Sequence, residues 1–321
     1  MVKKFVYGTP FETEAVVKEI PSSEGNPDYG TFSTENGFSF TTKLADDDMV
    51  FGLGEANRGI NKRGFLYISD CADDPNHVES KTSLYAAHNF IIISGKTHVG
   101  FFFDYPGTLR FDIGYTTSDT MTVSCENADL YVYMITGDSD LDIVKQFRGI
   151  IGRSYIAPKF AFGYGQSRWG YKTEDDFRTV VKKYRENHVP LDMVYMDIDY
   201  MQDYKDFTVN EERFPDFEGF VQDMKKEKIH LVPIIDAGVK VEEGYDIYEE
   251  GCEKGYFCRR EDGSYFEATV WPGWTHFPDV LNADARKWFG DKYDVLVSKG
   301  IDAFWNCLLY TSPSPRDTER S

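Results

Sequence analysis

LDMVYMDIDYMQDYKDFTVNEERFPDFEGFVQDMKKEKIHLVPIID (191–236) holds two apolar runs of strand length with an amphipathic segment between them. The runs are LDMVYMDIDY (191–200) and HLVPIID (230–236). Between them, Phe217, Phe220, Val221 and Met224 fall at i, i+3, i+4 and i+7, which is one face of a helix. Strand, helix and strand with short connections imply a parallel sheet, because parallel neighbours need a crossover between them. The same rhythm extends in both directions. Upstream, KFAFGYG (159–165) is a buried-strand candidate. Thr173, with Asp176 three residues on, forms a capping box for a helix presenting Phe177, Val180, Val181 and Tyr184, which Asn187 and Pro190 end. Downstream, about 241 to 281 is irregular and rich in glycine and aromatics. Asn282 then caps a helix through Phe289, Tyr293 and Leu296, Gly300 stops it, and IDAFWN (301–306) is a fourth strand.

Two parallel architectures compete, a doubly wound sheet and a (β/α)8 barrel. The turn after the first strand reads GYGQSRWG, with Arg168 where a dinucleotide fingerprint needs its third glycine. The barrel reading places chemistry at the carboxyl ends of the strands.

Residues 1 to about 155 have a different period. TMTVSC (120–125) puts Met121, Val123 and Cys125 on one face and Thr120, Thr122 and Ser124 on the other. DLYVYMIT (129–136) also alternates, and NFIIIS (89–94) and HVGFFFDY (98–105) are denser apolar runs. Many short strands with no long helical pattern suggest a sandwich.

Composition narrows the function. Lys+Arg 35 against Asp+Glu 54 gives a net charge of −19, which repels phosphate backbones and anionic membranes. No apolar run reaches the roughly 20 residues of a membrane helix, and the start has no apolar core of a secretory signal. No nucleic-acid or membrane partner is therefore expected. The five cysteines, Cys71, Cys125, Cys252, Cys258 and Cys307, have neither a disulfide-framework nor a zinc spacing, and read as reduced cytosolic thiols. His276 has no second histidine at ligand spacing, so no metal is expected.

The strand ends carry polar and aromatic groups: Gln166 to Tyr171, Asp197 to Tyr200, Asp236, and Trp305 with Asn306. VWPGWTHFPD (270–279) lies between the third and fourth strands, and all five tryptophans fall in this half. Carboxylates accept hydrogen bonds from sugar hydroxyls, and flat rings cover the apolar face of a pyranose, so the set favours a carbohydrate pocket. Trp288 lies mid-helix and reads as core. Asp199, Asp203 and Asp206 read equally well as a solvated acidic loop.

FGYGQSRWGY, DIDYMQDYKDFTVN, IIDAGV, VWPG and GIDAFWN, in this order, resemble glycoside hydrolase family 31, and within it the α-glucosidases of gut bacteria. FGLGEANRGINKRG (51–64), SLYAAHNFIII (83–93) and GFFFDYPG (100–107) resemble the family's N-terminal domain. The resemblance implies a galactose-mutarotase-like β-sandwich over 1–155 and the first half of a (β/α)8 barrel over 156–306. It implies a retaining, exo-acting hydrolase of terminal α-linked glucose, needing no cofactor, with α-glucoside oligosaccharides as partners. Cytoplasmic location and homo-oligomers of the full-length protein are further expectations of it. Asp197 would hold the glycone hydroxyls, with Ile198 beside it, and Asp236, Val239, Trp271 and Trp305 would line the same pocket. Trp169 would shape the pocket, and Asp70 would reach in from a sandwich loop where Asp73 and Asp74 are rivals.

The chain departs from the family at its nucleophile. The family places an aspartate directly after the Trp-Asn of the fourth strand, and here that slot holds Cys307. The tail from Cys307, CLLYTSPSPRD onward, resembles a translated sequencing adapter, so 307–321 is expected to be non-native and the gene cut off there. On this reading the general acid lies outside the chain, and the chain is poorly soluble and inactive. Two readings stand beside it: a non-catalytic sugar-binding protein that keeps Asp197 and Trp271, and an unrelated parallel-sheet enzyme such as a sugar isomerase. The family's α-xylosidases and transglycosylases are nearer alternatives.

Overall fold

The computed structural model describes residues 1–25, 27–71 and 76–307, in two units that divide after Tyr155. Asp73, Asp74 and the tail beyond Cys307 lie outside the described residues.

The first unit contains β1 Val2–Tyr7, β2 Thr31–Ser33, β3 Phe38–Lys43, β4 Met49–Gly52, β5 Phe65–Ser69, β6 Phe90–Ser94, β7 His98–Asp104, β8 Leu109–Ile113, β9 Thr120–Cys125 and β10 Leu130–Gly137, followed by α1 Asp140–Ile151. Two antiparallel five-stranded sheets form, in the orders β1-β10-β7-β6-β4 and β2-β3-β9-β8-β5. One core joins their inner faces. Phe40 and Phe111 flank Val123 in register across β3, β9 and β8, and meet Phe101, Phe103 and Val132 of the other sheet. Each such side chain contributes roughly 1.5–3 kcal/mol by leaving water.

The expectation of no helix in this half is overturned by α1. Ser139 caps it, accepting from the Asp142 N–H, and Ile143 and Ile150 pack on Ile92, Tyr133 and Ile135. This contact explains the dense runs in β6, β7 and β10. Both faces of that sheet are covered, so alternation disappears. Gly100 of β7 permits the approach, since a Cβ there would stand 2.6 Å from Ile143.

The second unit contains β11 Gly165–Gln166, α2 Glu174–Glu186, β12 Met193–Met196, α3 Phe217–Lys226, β13 His230–Asp236, β14 Val239–Lys240, α4 Asp246–Lys254, β15 Glu267–Val270, β16 Gly273–His276, α5 Ala283–Lys292, α6 Asp294–Val297 and β17 Trp305–Cys307. A parallel sheet in the order β11-β12-β13-β17 holds the four expected strands, and α2, α3 and α5 are the expected helices. The Thr173–Asp176 capping box and the Asn282 cap are both formed. Trp288 is core, 6 % exposed.

Four local expectations fail. Of the run 191–200 only Met193–Met196 is strand, because Asp197 accepts the Ile198 N–H and starts a 3-10 turn over Ile198–Tyr200. The segment 159–165 is not a buried strand: Lys159–Phe162 is an exposed-edged 3-10 turn, and pairing starts only at Gly165. Pro158 sets the turn, and the Asp192 carboxylate receives the Tyr164 N–H beside Gly163, where the next strand residue would otherwise pair. Of IDAFWN, only Trp305 and Asn306 are strand. The stretch 241–281 is ordered rather than irregular. It contains α4 and the hairpin β15-β16, which turns through Trp271 and Pro272 into Gly273 at φ 104° and pairs with β14 just before the stretch in the order β14-β16-β15.

Candidate active site

The three neighbouring strands β12, β13 and β17 end at one rim. Their register pairs Met196 with Pro233 and Asp236 with Cys307, so Asp197, Asp236 and Cys307 sit at consecutive strand ends. Asp197 is half-buried and caps a 3-10 turn, Ile198–Tyr200, by accepting the Ile198 N–H at 2.8 Å. Ile198 is buried beside it.

Asp236 is 3 % exposed, and its Oδ1 has no hydrogen-bond partner. Burial pushes its carboxyl up to about 6, against a hydrogen bond from Cys307 that lowers it, while the Asp197 charge adds to the rise. A carboxyl desolvated in this way beside a second, more open carboxyl is the usual arrangement for separating acid and base behaviour in one cleft. Its unpaired oxygen is an unused acceptor.

The other expected residues stand at different distances from this group. Val239 is fully buried in β14, opposite His276. Trp305 pairs with Ile234, is half-buried, and meets Tyr195 edge to face at 6.2 Å. Trp271, on the hairpin tip, and Trp169, in the loop after β11, are 60 % and 67 % exposed. These two rings are available to a ligand rather than used as core. Asp70 follows β5 in the first unit and is exposed.

The acidic loop after β12 is not solvated, contrary to one reading of its sequence. Asp203 is exposed, but Asp199 and Asp206 are each 1 % exposed. Arg213 donates to the Asp199 carbonyl at 2.8 Å and approaches its carboxylate at 3.5 Å. Lys205 and Lys240 both bind the Glu242 carboxylate, at 2.7 and 2.5 Å, tying this loop to the segment after β14. Sequence reasoning missed Asp206, because an aspartate between Lys205 and Phe207 carries no periodic signal of burial.

His276 is buried by its own partners. Its Nε2 lies 2.8 Å from Glu267 across the hairpin, and its Nδ1 lies 3.8 Å from the Cys252 sulfur. None of the five cysteines forms a disulfide. Among the described residues, no helix is long and apolar enough to cross a membrane.

Comparison with known proteins agrees with the geometry. Residues 154–308 match the glycosyl hydrolases family 31 TIM-barrel domain, and residues 11–112 match the glycosyl hydrolase 31 N-terminal galactose mutarotase-like domain. Alpha-glucosidase 2 of Bacillus thermoamyloliquefaciens is 36 % identical over 269 residues, covering 82 % of this chain and 34 % of that protein. The alpha-glucosidase of Saccharolobus solfataricus is 27 % identical over 309 residues, covering 95 % and 44 %. Among solved structures, a Flavobacterium johnsoniae GH31 dextranase complexed with glucose shares the fold at a TM-score of 0.80 and 23 % identity, covering 90 % of this chain and 36 % of that one. The cycloalternan-degrading enzyme of Trueperella pyogenes does so at 0.76 and 17 %, covering 88 % and 46 %. The chain thus spans about a third to under a half of the length of these relatives.

Proposed function

The chain belongs to glycoside hydrolase family 31, and from that premise we propose that it carries the sandwich (1–155) and the first barrel strands (156–306) of a retaining, exo-acting α-glucosidase. The observation that carries this reading is the row of Asp197, Asp236 and position 307 at adjacent strand ends. In a retaining glycosidase one carboxylate attacks the anomeric carbon and a second carboxyl protonates the leaving oxygen. Asp197 and Asp236 accept the hydroxyls of the terminal glucose, with Ile198 and Val239 backing them. Trp271, Trp305 and Trp169 offer their rings to the sugar. The proposed substrates are α-linked gluco-oligosaccharides, and the proposed location is cytoplasmic.

Position 307 holds a thiol where the reading needs the attacking carboxylate. A thiol hydrogen-bonded to Asp236 gives no glycosyl-aspartate, so the chain with Cys307 is inactive as a hydrolase. Cys307 also favours a second reading, a sugar-binding protein that retains Asp197 and Trp271 without turnover.

The test is calorimetric titration of the purified chain with isomaltose, run beside an assay of 4-nitrophenyl α-glucoside. The expected result is saturable binding, weakened about tenfold in Asp197→Asn through loss of a charge-assisted hydrogen bond, with no nitrophenol released. Nitrophenol release would overturn the assignment of inactivity. Binding indifferent to Asp197→Asn would overturn the site.

A further inference from the structure

The strand β13 outruns its neighbour. Pairing with β12 ends at Met196 and Pro233, yet β13 continues to Asp236. In a strand, the N–H and C=O groups of alternate residues point to the same edge. Ile234 and Asp236 therefore face the β12 side, where no strand remains, while Ile235 faces β17. Buried backbone groups left so are costly.

Two buried side chains from the loop after β12 take the missing places. The Tyr200 hydroxyl donates to the Ile234 carbonyl at 2.8 Å, and Asp206 Oδ1 accepts the Asp236 N–H at 3.1 Å. We infer that Asp206 is a positioning residue for Asp236: with Tyr200 it continues the β12 side of the ladder and so fixes where the Asp236 carboxyl meets the rim.

The loop is built to hold this bond. Tyr245 donates its hydroxyl to the Asp206 carbonyl at 2.7 Å. Asp203, Tyr204 and Phe207 all have left-handed φ, at 52°, 59° and 60°, which side chains adopt at a steric cost. Such a run persists where surrounding contacts over-determine it, and here the ordered result is the inward Asp206.

Asp206 Oδ2 is buried and has no partner. The groups facing it are the Asp236 carboxyl and the hydroxyls of Tyr200, Tyr245 and Tyr293, and its sequence neighbour Lys205 is spent on Glu242. Burial, then the Asp236 charge, hold the Asp206 carboxyl far above the usual carboxylate range. It acts as a neutral acid, so asparagine replaces it and leucine does not.

The experiment uses carboxyl-carbon and amide-exchange NMR on the 321-residue chain, its Asp206→Asn and Asp206→Leu variants, and Tyr200→Phe. The expected Asp206 carboxyl signal does not change across the ordinary carboxylate range near pH 4, because it titrates above it. Protection of the Asp236 amide stays within about twofold in Asp206→Asn and falls roughly tenfold in Asp206→Leu, the worth of one hydrogen bond. Tyr200→Phe lowers the same protection. An Asp206 signal that titrates in this range, or Asn and Leu variants that behave alike, would overturn the inference. Should Asp206→Leu not fold, the Asn variant and the carboxyl titration decide. The assignment rests on the sugar-site reading only for its consequence, a matching loss of isomaltose affinity in Asp206→Leu. Absence of isomaltose binding by the unaltered chain would count against that reading alone.

Discussion

Replacing Asp236 with asparagine tests the electrostatics of the rim through stability. Burial raises this carboxyl from 3.8 to about 6. A raised acid is stabilising while protonated, so its contribution is complete below about pH 4, declines as pH rises toward 6, and then stays lost. At 1.36 kcal/mol per unit, the ionised form costs the folded state about 3 kcal/mol. Asparagine keeps an acceptor for Cys307 and never ionises. The stability difference between Asp236→Asn and the unaltered chain should therefore grow by about 3 kcal/mol between pH 4 and pH 8. Urea unfolding followed by tryptophan fluorescence measures it, because all five tryptophans lie in the second unit. With a urea slope of about 2 kcal/mol/M, the variant's midpoint gains about 1.5 M on the unaltered chain across that range. A difference that does not change with pH would refute the account, since it would mean that Asp236 is not held above its ordinary value. A difference that shrinks with rising pH would refute it more strongly, since the carboxylate would then be the stabilised form.

Two further outcomes follow from the same neighbourhood. Asp197→Asn removes a charge that raises Asp236, so the Asp236 carboxyl titration, read by NMR, should move below about 6; an unmoved midpoint would separate the two groups. Glu242→Gln releases Lys205 and Lys240 from a carboxylate those lysines hold down at about 2. A depressed acid stabilises above its ordinary value of 4.5 and loses that contribution as pH falls toward 2, so the variant should be less stable at pH 7 and equal to the unaltered chain near pH 2.

Much of the fold was legible where period and burial coincide. The 230–236 run became β13 in full, and Phe217, Phe220, Val221 and Met224 became the buried face of α3. The capping box at Thr173 and the cap at Asn282 were local signals that tertiary contacts did not override. Legibility failed where a segment's structure depends on a distant partner. The helix α1 has only Ile143 and Ile150 fully buried, too sparse a stripe to stand out, and it forms on a sheet already covered with aromatic rings. The short strands β14, β15 and β16 pair with one another rather than with the main sheet, so they lack the apolar density of parallel strands. At the candidate site, Asp197 and Asp236 were readable because each ends an apolar run. Asp206 was not, because its burial comes from a loop with left-handed residues on both sides. Trp169 and Trp271 are exposed, and how such rings would be arranged around a sugar is not a property that spacing encodes.

The most direct measurement is amide and indole chemical-shift mapping of the isotope-labelled chain during titration with glucose. The account predicts saturable shifts that converge on Asp197, Ile198, Asp236, Val239 and the indoles of Trp271 and Trp305. It also predicts that in Asp197→Asn these shifts saturate together only at about tenfold higher glucose. Shifts confined to other surfaces, or saturable shifts at the rim that persist unchanged in Asp197→Asn, would contradict it.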